Sequence, residues 1–180
     1  MNRFGRKVSA LLLAAAVTVA SVVPAFAANS PVSGKSDSST TVKATVNKDG
    51  KSVTVKSISS TGKSATIPAS VKSGGKNYSV SEIKTDSIQK KYNKVTIVMN
   101  DKTKVDAKIV KSKNAKKTKK IVITATNGKK LNASQFNKKA FKGFKGKIIV
   151  KKSAMTKKQF KKLAKKLRKG GFKGKIVRKK

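Results

Sequence analysis

Lysine and a few carboxylates are the residue types in this chain that could do chemistry. The chain contains no histidine and no cysteine, so the usual general bases, nucleophiles and metal ligands are missing. Two carboxylate pairs remain: Glu82 with Asp86, whose spacing would place both on one helix face, and Asp101 with Asp106 in a lysine-rich stretch. No second motif accompanies either pair, so we interpret all four as solvated or lysine-paired surface acids. We therefore expect no enzyme activity, no cofactor and no metal site.

Lysine dominates the rest of the chain. The 180 residues carry 46 Lys and Arg against 6 Asp and Glu, a formal net charge of +40, and no acidic residue follows Asp106. Such an excess favours an anionic partner, but lysine also keeps a repetitive scaffold soluble, and composition alone does not choose between the two. Nucleic acid is a poor candidate, because base recognition favours arginine and stacking favours aromatic residues, which make up only 5% of this chain.

Residues 1–28 have the three parts of a signal peptide. A basic start is followed by an apolar stretch, Val8–Val23, and then by Pro24 and the small-x-small sequence Ala25–Ala27. As an uncleaved membrane anchor, the apolar stretch would be short for a hydrocarbon core of about 30 Å, and Ser and Thr interrupt it. We expect cleavage near Ala28 and a mature protein that is secreted or held at the cell surface.

The region before residue 91 is expected to contain a linker and a cap. Residues 29–40 are rich in Ser, Gly and Thr with few bulky apolar side chains, a composition typical of a flexible linker. Residues 41–90 show short alternating runs, which predict a cap of two β-hairpins. The first hairpin turns at Asn47–Gly50, where Asp-Gly suits a tight turn. The second joins Ala65–Val71 to Ser73–Ile83 around two glycines.

Residues 91–180 contain four short β-like runs at nearly constant spacing. Their first apolar residues are Val95, Ile121, Ile148 and Ile176, which lie 26, 27 and 28 positions apart. One short strand per period of this length is typical of a solenoid, in which each turn adds a strand to a parallel sheet. The sequence therefore predicts a β-rich fold with short helices, in which a solenoid of about four turns follows the hairpin cap.

The last spacer predicts an amphipathic closing helix over residues 155–169. Phe160, Leu163 and Leu167 form one apolar stripe at helical spacing, Thr156 is the expected N-cap, and lysines cover the other faces. An alternative function is that this helix is the active part of a cationic, membrane-active protein of the antimicrobial type. We favour the closing helix because matched strands flank it on both sides.

Alternation within the four predicted strands places one lysine of each strand on the face opposite the core. These lysines are Lys94, Lys120, Lys147 and Lys175, and the residue two positions later is Thr or aliphatic in every strand. Strands about 4.8 Å apart would stack the four ammonium groups into a ladder, whose neighbours repel by about 1 kcal/mol in water. An anionic ligand would relieve that repulsion, so this ladder is the candidate polyanion-binding face.

Three stretches of the chain resemble the bacterial surface leucine-rich-repeat family of the BspA-like type. Ala65–Ile83 is similar to the opening unit of that family, and Asn137–Lys152 contains its Lys-Ala-Phe-x-Gly turn ahead of a strand. Ser153–Lys180 resembles its closing helix and last strand. The resemblance implies a leucine-rich-repeat-like solenoid and a secreted binding or adhesion protein without catalysis. The resemblance does not identify the ligand. The charge and the expected export indicate a protein or an anionic surface polymer of a cell wall or host matrix as the partner, with membranes contacted only by peripheral electrostatics.

Overall fold

The computed structural model describes residues 28–110, 113 and 115–180. These residues form two β-sheets, with eleven strands, one α-helix and two short 3₁₀ helices. The predicted signal peptide lies outside the described residues, apart from Ala28. In chain order the strands and the helix are β1 Pro31–Lys35, β2 Thr40–Val46, β3 Ser52–Ser60, β4 Ser64–Ile67, β5 Ser70–Ser73, β6 Lys76–Ile83, β7 Lys94–Met99, β8 Lys104–Val105, β9 Lys120–Ala125, β10 Lys147–Lys151, α1 Lys157–Lys169 and β11 Ile176–Lys179.

The first sheet is mixed and contains the first predicted hairpin. Its strand order is β1-β2-β3-β6-β5, and β8 pairs in parallel with the end of β6. Strands β2 and β3 are antiparallel, as predicted for the hairpin that turns at Asn47–Gly50. The Asp49 carboxylate accepts hydrogen bonds from the backbone N–H groups of Lys51 and Ser52, and Gly50 has a φ of 60°. This turn chemistry explains why the hairpin could be predicted from sequence.

The segment expected to be a flexible linker, residues 29–40, contains a strand. Strand β1 pairs with β2, and its Val32 is buried in the core. The Ser-rich turn after β1 is organised by Asp37, whose carboxylate accepts hydrogen bonds from Ser39 and from the backbone N–H of Thr40. Desolvation opposes ionisation of Asp37, but these hydrogen bonds outweigh it and lower its pKa to about 2. The linker prediction was wrong because small polar residues can also pair along a sheet edge.

The second predicted hairpin is shorter than expected, because its first strand begins at Ser70 and not at Ala65. Strands β5 and β6 do form an antiparallel hairpin around Gly74 and Gly75, which both have positive φ. The earlier half, Ala65–Ile67, instead belongs to β4 and pairs in parallel with β7 in the other sheet. Pro68 separates the two parts, and because proline has no N–H to donate, it ends β4 and lets the chain change sheets.

The second sheet brings together the four regularly spaced runs, as the sequence predicts. Its order is β11-β10-β9-β7-β4, and all four pairings are parallel. The apolar residues used to define the spacing are aligned across it: Val95 pairs with Ile121, Ile121 with Ile148, and Ile148 with Ile176. Val95, Ile121 and Ile148 are completely buried. Burying one aliphatic side chain of this size stabilises the fold by about 1.5–3 kcal/mol.

The two sheets share one core across the boundary expected at residue 90. Strand β4 pairs with β7, β6 pairs with β8, and the buried apolar residues of both sheets form a single cluster. A second parallel ladder lies in the first sheet, where Ile83 pairs with Val55 on one side and with Val105 on the other, and Val105 bridges to Phe136. The structure therefore does not separate residues 41–90 from residues 91–180 as two independent units.

Helix α1 begins and ends where the sequence indicates. The Thr156 hydroxyl accepts a hydrogen bond from the backbone N–H of Gln159 (3.3 Å), which is the predicted N-cap, and Gly170 is the C-cap. Leu163 and Leu167 are completely buried, and Phe160 packs against the core at its edge. The apolar stripe of the helix is thus used in packing.

Residues 144–152 (FKGKIIVKK) and 172–180 (FKGKIVRKK) are nearly identical in sequence, and the two segments pack against each other. The rings of Phe144 and Phe172 stack with centroids 6.2 Å apart and planes at 15°. Gly146 and Gly174 follow them, and a Cβ on either glycine would collide with a neighbouring backbone carbonyl, that of Thr118 or of Gly146. The two glycines are therefore required by close approach between successive strands.

Candidate binding face

The four lysines predicted to form a ladder lie in one row of the second sheet. Lys94 pairs with Lys120, and Lys120 pairs with Lys147, on the neighbouring strands β7, β9 and β10. Lys175 lies immediately before β11, and its carbonyl oxygen accepts a hydrogen bond from the Ile148 N–H (2.8 Å), which continues the register. We refer to Lys94, Lys120, Lys147 and Lys175 as the lysine row.

The lysine row carries concentrated charge without an internal counterion. Lys94, Lys120 and Lys175 are exposed, and Lys147 is half-buried. Among the described residues, salt bridges form at Lys84 and Lys129, and no member of the lysine row takes part in one. Adjacent strands lie about 4.8 Å apart, so neighbouring ammonium groups must splay or attract counterions to relieve their repulsion. The row is therefore an anion-attracting feature whose charges the fold leaves unpaired.

A second row runs beside the lysine row on the same face. It lies two residues further along each strand, at a distance of about 6.6 Å. Its side chains are half-buried, and they change along the sheet from threonine to aliphatic. We call this set the middle row; in strand order β4, β7, β9, β10, β11 its members are Thr66, Thr96, Val122, Ile149 and Val177.

Further lysines border the middle row on its other side at one end of the sheet. Lys151 on β10 pairs with Lys179 on β11, two positions beyond Ile149 and Val177. At this end the aliphatic side chains are therefore flanked by lysine on both sides. Lys151 and Lys179 are not among the four lysines predicted for this face, although the same alternation extended by one step in β10 and β11 leads to them.

The carboxylates do not form the pairs that the sequence suggested. Glu82 lies in β6 and Asp86 in a following turn with a φ of 64°, so the idea of a shared helix face is wrong. Lys84 contacts Glu82 at 2.9 Å and Asp106 at 3.9 Å, and its hydrogen bond to Glu82 raises the pKa of the Lys84 ammonium. Groups of acidic residues able to hold a metal ion are not found in the described part of the chain.

Asp101 also has a lysine partner. The Lys129 ammonium lies 3.3 Å from the Asp101 carboxylate, and the hydrogen bond between them lowers the pKa of that carboxyl. Both side chains are about half exposed, so the pair contributes little to stability. These contacts agree with the interpretation of the acids as lysine-paired surface groups.

Two cavities of the described residues lie away from the lysine row. One of about 480 Å³ is lined by residues of both charge signs near Glu82, Asp106, Gln135 and Lys166. Another, of about 470 Å³, includes Asp86 together with three lysines. Both are open, the first is as polar as it is apolar and the second is mainly polar, so neither resembles the largely apolar clefts that usually hold small molecules. The sheet face is the more regular candidate, because its charges repeat from strand to strand.

Comparisons with protein-family models, with curated proteins and with solved structures gave no match to this chain. Within the described residues, no helix is long and apolar enough to cross a membrane.

Proposed function

We propose that this protein is a secreted, non-catalytic binding protein that uses the lysine row to associate with an anionic partner, either a surface polymer or an acidic protein. The observation that carries the proposal is the register of Lys94, Lys120 and Lys147 on three neighbouring parallel strands. A composition chosen for solubility alone would not require lysines at the same strand position. Repeated like charges on one face concentrate counterions there and steer anionic partners to it.

The proposal includes a leucine-rich-repeat-like solenoid, as in the family that the sequence resembles. It is supported by the path of the chain, which alternates between the two parallel ladders. From β7 the chain goes to β8, returns to β9, and then passes Phe136 of the second ladder, in the first sheet, before it reaches β10. Each of these two circuits adds one step to both ladders, as a solenoid turn would. Repeat proteins of this kind present extended faces to their partners.

The packing of α1 favours this proposal over a membrane-active helix. Leu163 and Leu167 would have to contact lipid in the alternative function, but both are completely buried against the rest of the protein. Releasing the helix would expose these side chains and leave part of the core uncovered. Phe160, at the edge of the stripe, is only partly buried. We therefore assign α1 to closing the fold.

The test replaces the lysine row with glutamine and measures binding to immobilised poly-L-glutamate and to polyphosphate across a salt series. Each exposed charge contributes roughly 0.2–1 kcal/mol to an ionic contact. We expect the variant Lys94→Gln, Lys120→Gln, Lys147→Gln, Lys175→Gln to bind about tenfold or more weakly at low salt. The difference should shrink as added salt screens the charges.

The matched control removes the same charge from the helix. Lys157, Lys161, Lys165 and Lys169 are exposed on α1, so their change to glutamine lowers net charge equally without touching the sheet. We expect this control to bind at least threefold more tightly than the sheet variant. Equal losses in the two variants would show that total charge governs binding, and the lysine row would have no special part.

A further inference from the structure

The middle row has an aliphatic segment whose spacing matches an α-helix. Val122, Ile149 and Val177 lie on three successive strands and are half-exposed on the face that carries the lysine row. Two strand spacings cover about 9.6 Å. Residues i and i+7 of a helix are separated by about 10.5 Å along its axis, and residue i+3 or i+4 lies between them on the same side. Three apolar side chains of one helix stripe could therefore meet the three aliphatic side chains.

The lysines flank this segment at the distance that a helix requires. The lysine row lies about 6.6 Å to one side of all three side chains, and Lys151 with Lys179 lies about 6.6 Å to the other side of Ile149 and Val177, where β9 has Thr124. A helix with its side chains is about 10 Å across, so carboxylates on its flanks would project toward both sets of ammonium groups. A partner that fits this face would carry apolar side chains along its centre and acidic side chains along both edges, which is the pattern of an amphipathic helix.

We propose that the occupant of this face is an acidic amphipathic helix of a protein partner, lying across the strands. The proposal rests on the proposed function and specifies its partner class. A simple polyanion would use the lysines but gain nothing from the aliphatic segment. An extended peptide repeats its same-side residues every ~6.6 Å, which falls out of step with the strand spacing of about 4.8 Å within two strands.

The geometry also identifies substitutions that address the aliphatic segment alone. Thr66 and Thr96 occupy the same row on β4 and β7, so this position of the sheet already holds threonine. Changing Val122, Ile149 and Val177 to Thr keeps β-branched side chains and leaves every lysine in place. The reverse change, Thr96→Val, lengthens the aliphatic segment by one strand.

The experiment measures dissociation constants by fluorescence anisotropy for two labelled helical peptides of equal negative charge. One carries Leu at i, i+3 and i+7 with Glu on both flanks, and the other carries Gln in place of Leu. We expect the protein to bind the Leu peptide about ten times more tightly. The triple Thr variant should reduce that preference to about threefold or less while binding poly-L-glutamate unchanged, and Thr96→Val should increase it.

The outcomes separate this inference from the proposed function. Equal binding of the two peptides by the unsubstituted protein would overturn the helix proposal, while loss of poly-L-glutamate binding in the lysine-row variant would still support the function. A triple Thr variant that loses binding to phosphatidylglycerol vesicles but keeps its peptide preference would assign the aliphatic segment to lipid. Absence of any lysine-row effect would remove both proposals.

Discussion

Replacing Phe144 with Ala should cost about 3–5 kcal/mol of the free energy of unfolding. Only 1% of the Phe144 surface is exposed, and its ring stacks on that of Phe172. The Phe172 ring also contacts the Phe141 ring edge-on, with the two centroids 6.5 Å apart. Removing the ring leaves a cavity in the segment that leads into β10, next to the ring of Phe172. Native proteins are stable by roughly 5–15 kcal/mol, so this loss is a large fraction. Urea unfolding followed by circular dichroism measures it.

The control for this change is Phe160→Ala, which removes the same atoms from a partly buried site on α1. We expect its cost to be less than half that of Phe144→Ala, since less apolar surface is lost from the core. Equal costs for the two variants would mean that Phe144 has no special place in the packing between the segments that lead into β10 and β11.

Among glycine-to-alanine changes in residues 144–152 and 172–180, Gly146→Ala should lower the free energy of unfolding the most. The added Cβ would collide with the carbonyl oxygen of Thr118, lie 2.5 Å from the Phe144 ring and lie 2.8 Å from the carbonyl oxygen of Lys119. Two of these neighbours are backbone groups immediately before β9, so they cannot move without shifting β9 relative to β10. Overpacking of this kind costs about 1–3 kcal/mol or more. The midpoint of urea unfolding should fall with little change in its slope.

Gly62→Ala is the matched substitution at a site with room. The nearest atom to a Cβ there is the Ser60 hydroxyl oxygen at 3.7 Å, an ordinary contact, and Gly62 has no positive φ. We expect its effect on the free energy of unfolding to be close to zero or slightly stabilising, because alanine restricts the unfolded chain. If Gly62→Ala destabilised the protein as much as Gly146→Ala, the close approach of strands would not explain the glycine.

Much of the second sheet could be predicted from sequence because its signal is periodic. Val95, Ile121, Ile148 and Ile176 mark a regular interval, and the alternation within each run fixes which side chains face the core. Register follows, since a slip by one residue would expose the whole apolar set. The placement of the lysine row is a direct consequence.

The two hairpins of the first sheet could be predicted from their turns, but strand β1 and the connection between the two sheets could not, because their determinants are neither periodic nor local. Strand β1 depends on pairing with β2 and on the hydrogen bonds of Asp37, and its composition alone is that of a linker. Strand β4 was assigned to a hairpin because Ala65–Ile67 precedes β5 closely in sequence. Its partner is instead β7, thirty residues later, and such long-range pairing leaves no local signal.

Mapping the contact surface in solution tests the binding face most directly. The backbone ¹⁵N–¹H spectrum of the protein would be followed while poly-L-glutamate is added at low salt. We predict that the largest chemical-shift changes fall on Lys94–Thr96, Lys120–Val122 and Lys147–Ile149, with small changes in α1. Changes centred on Lys157–Lys169, or spread over the exposed lysines in proportion to their number, would contradict a role for the lysine row.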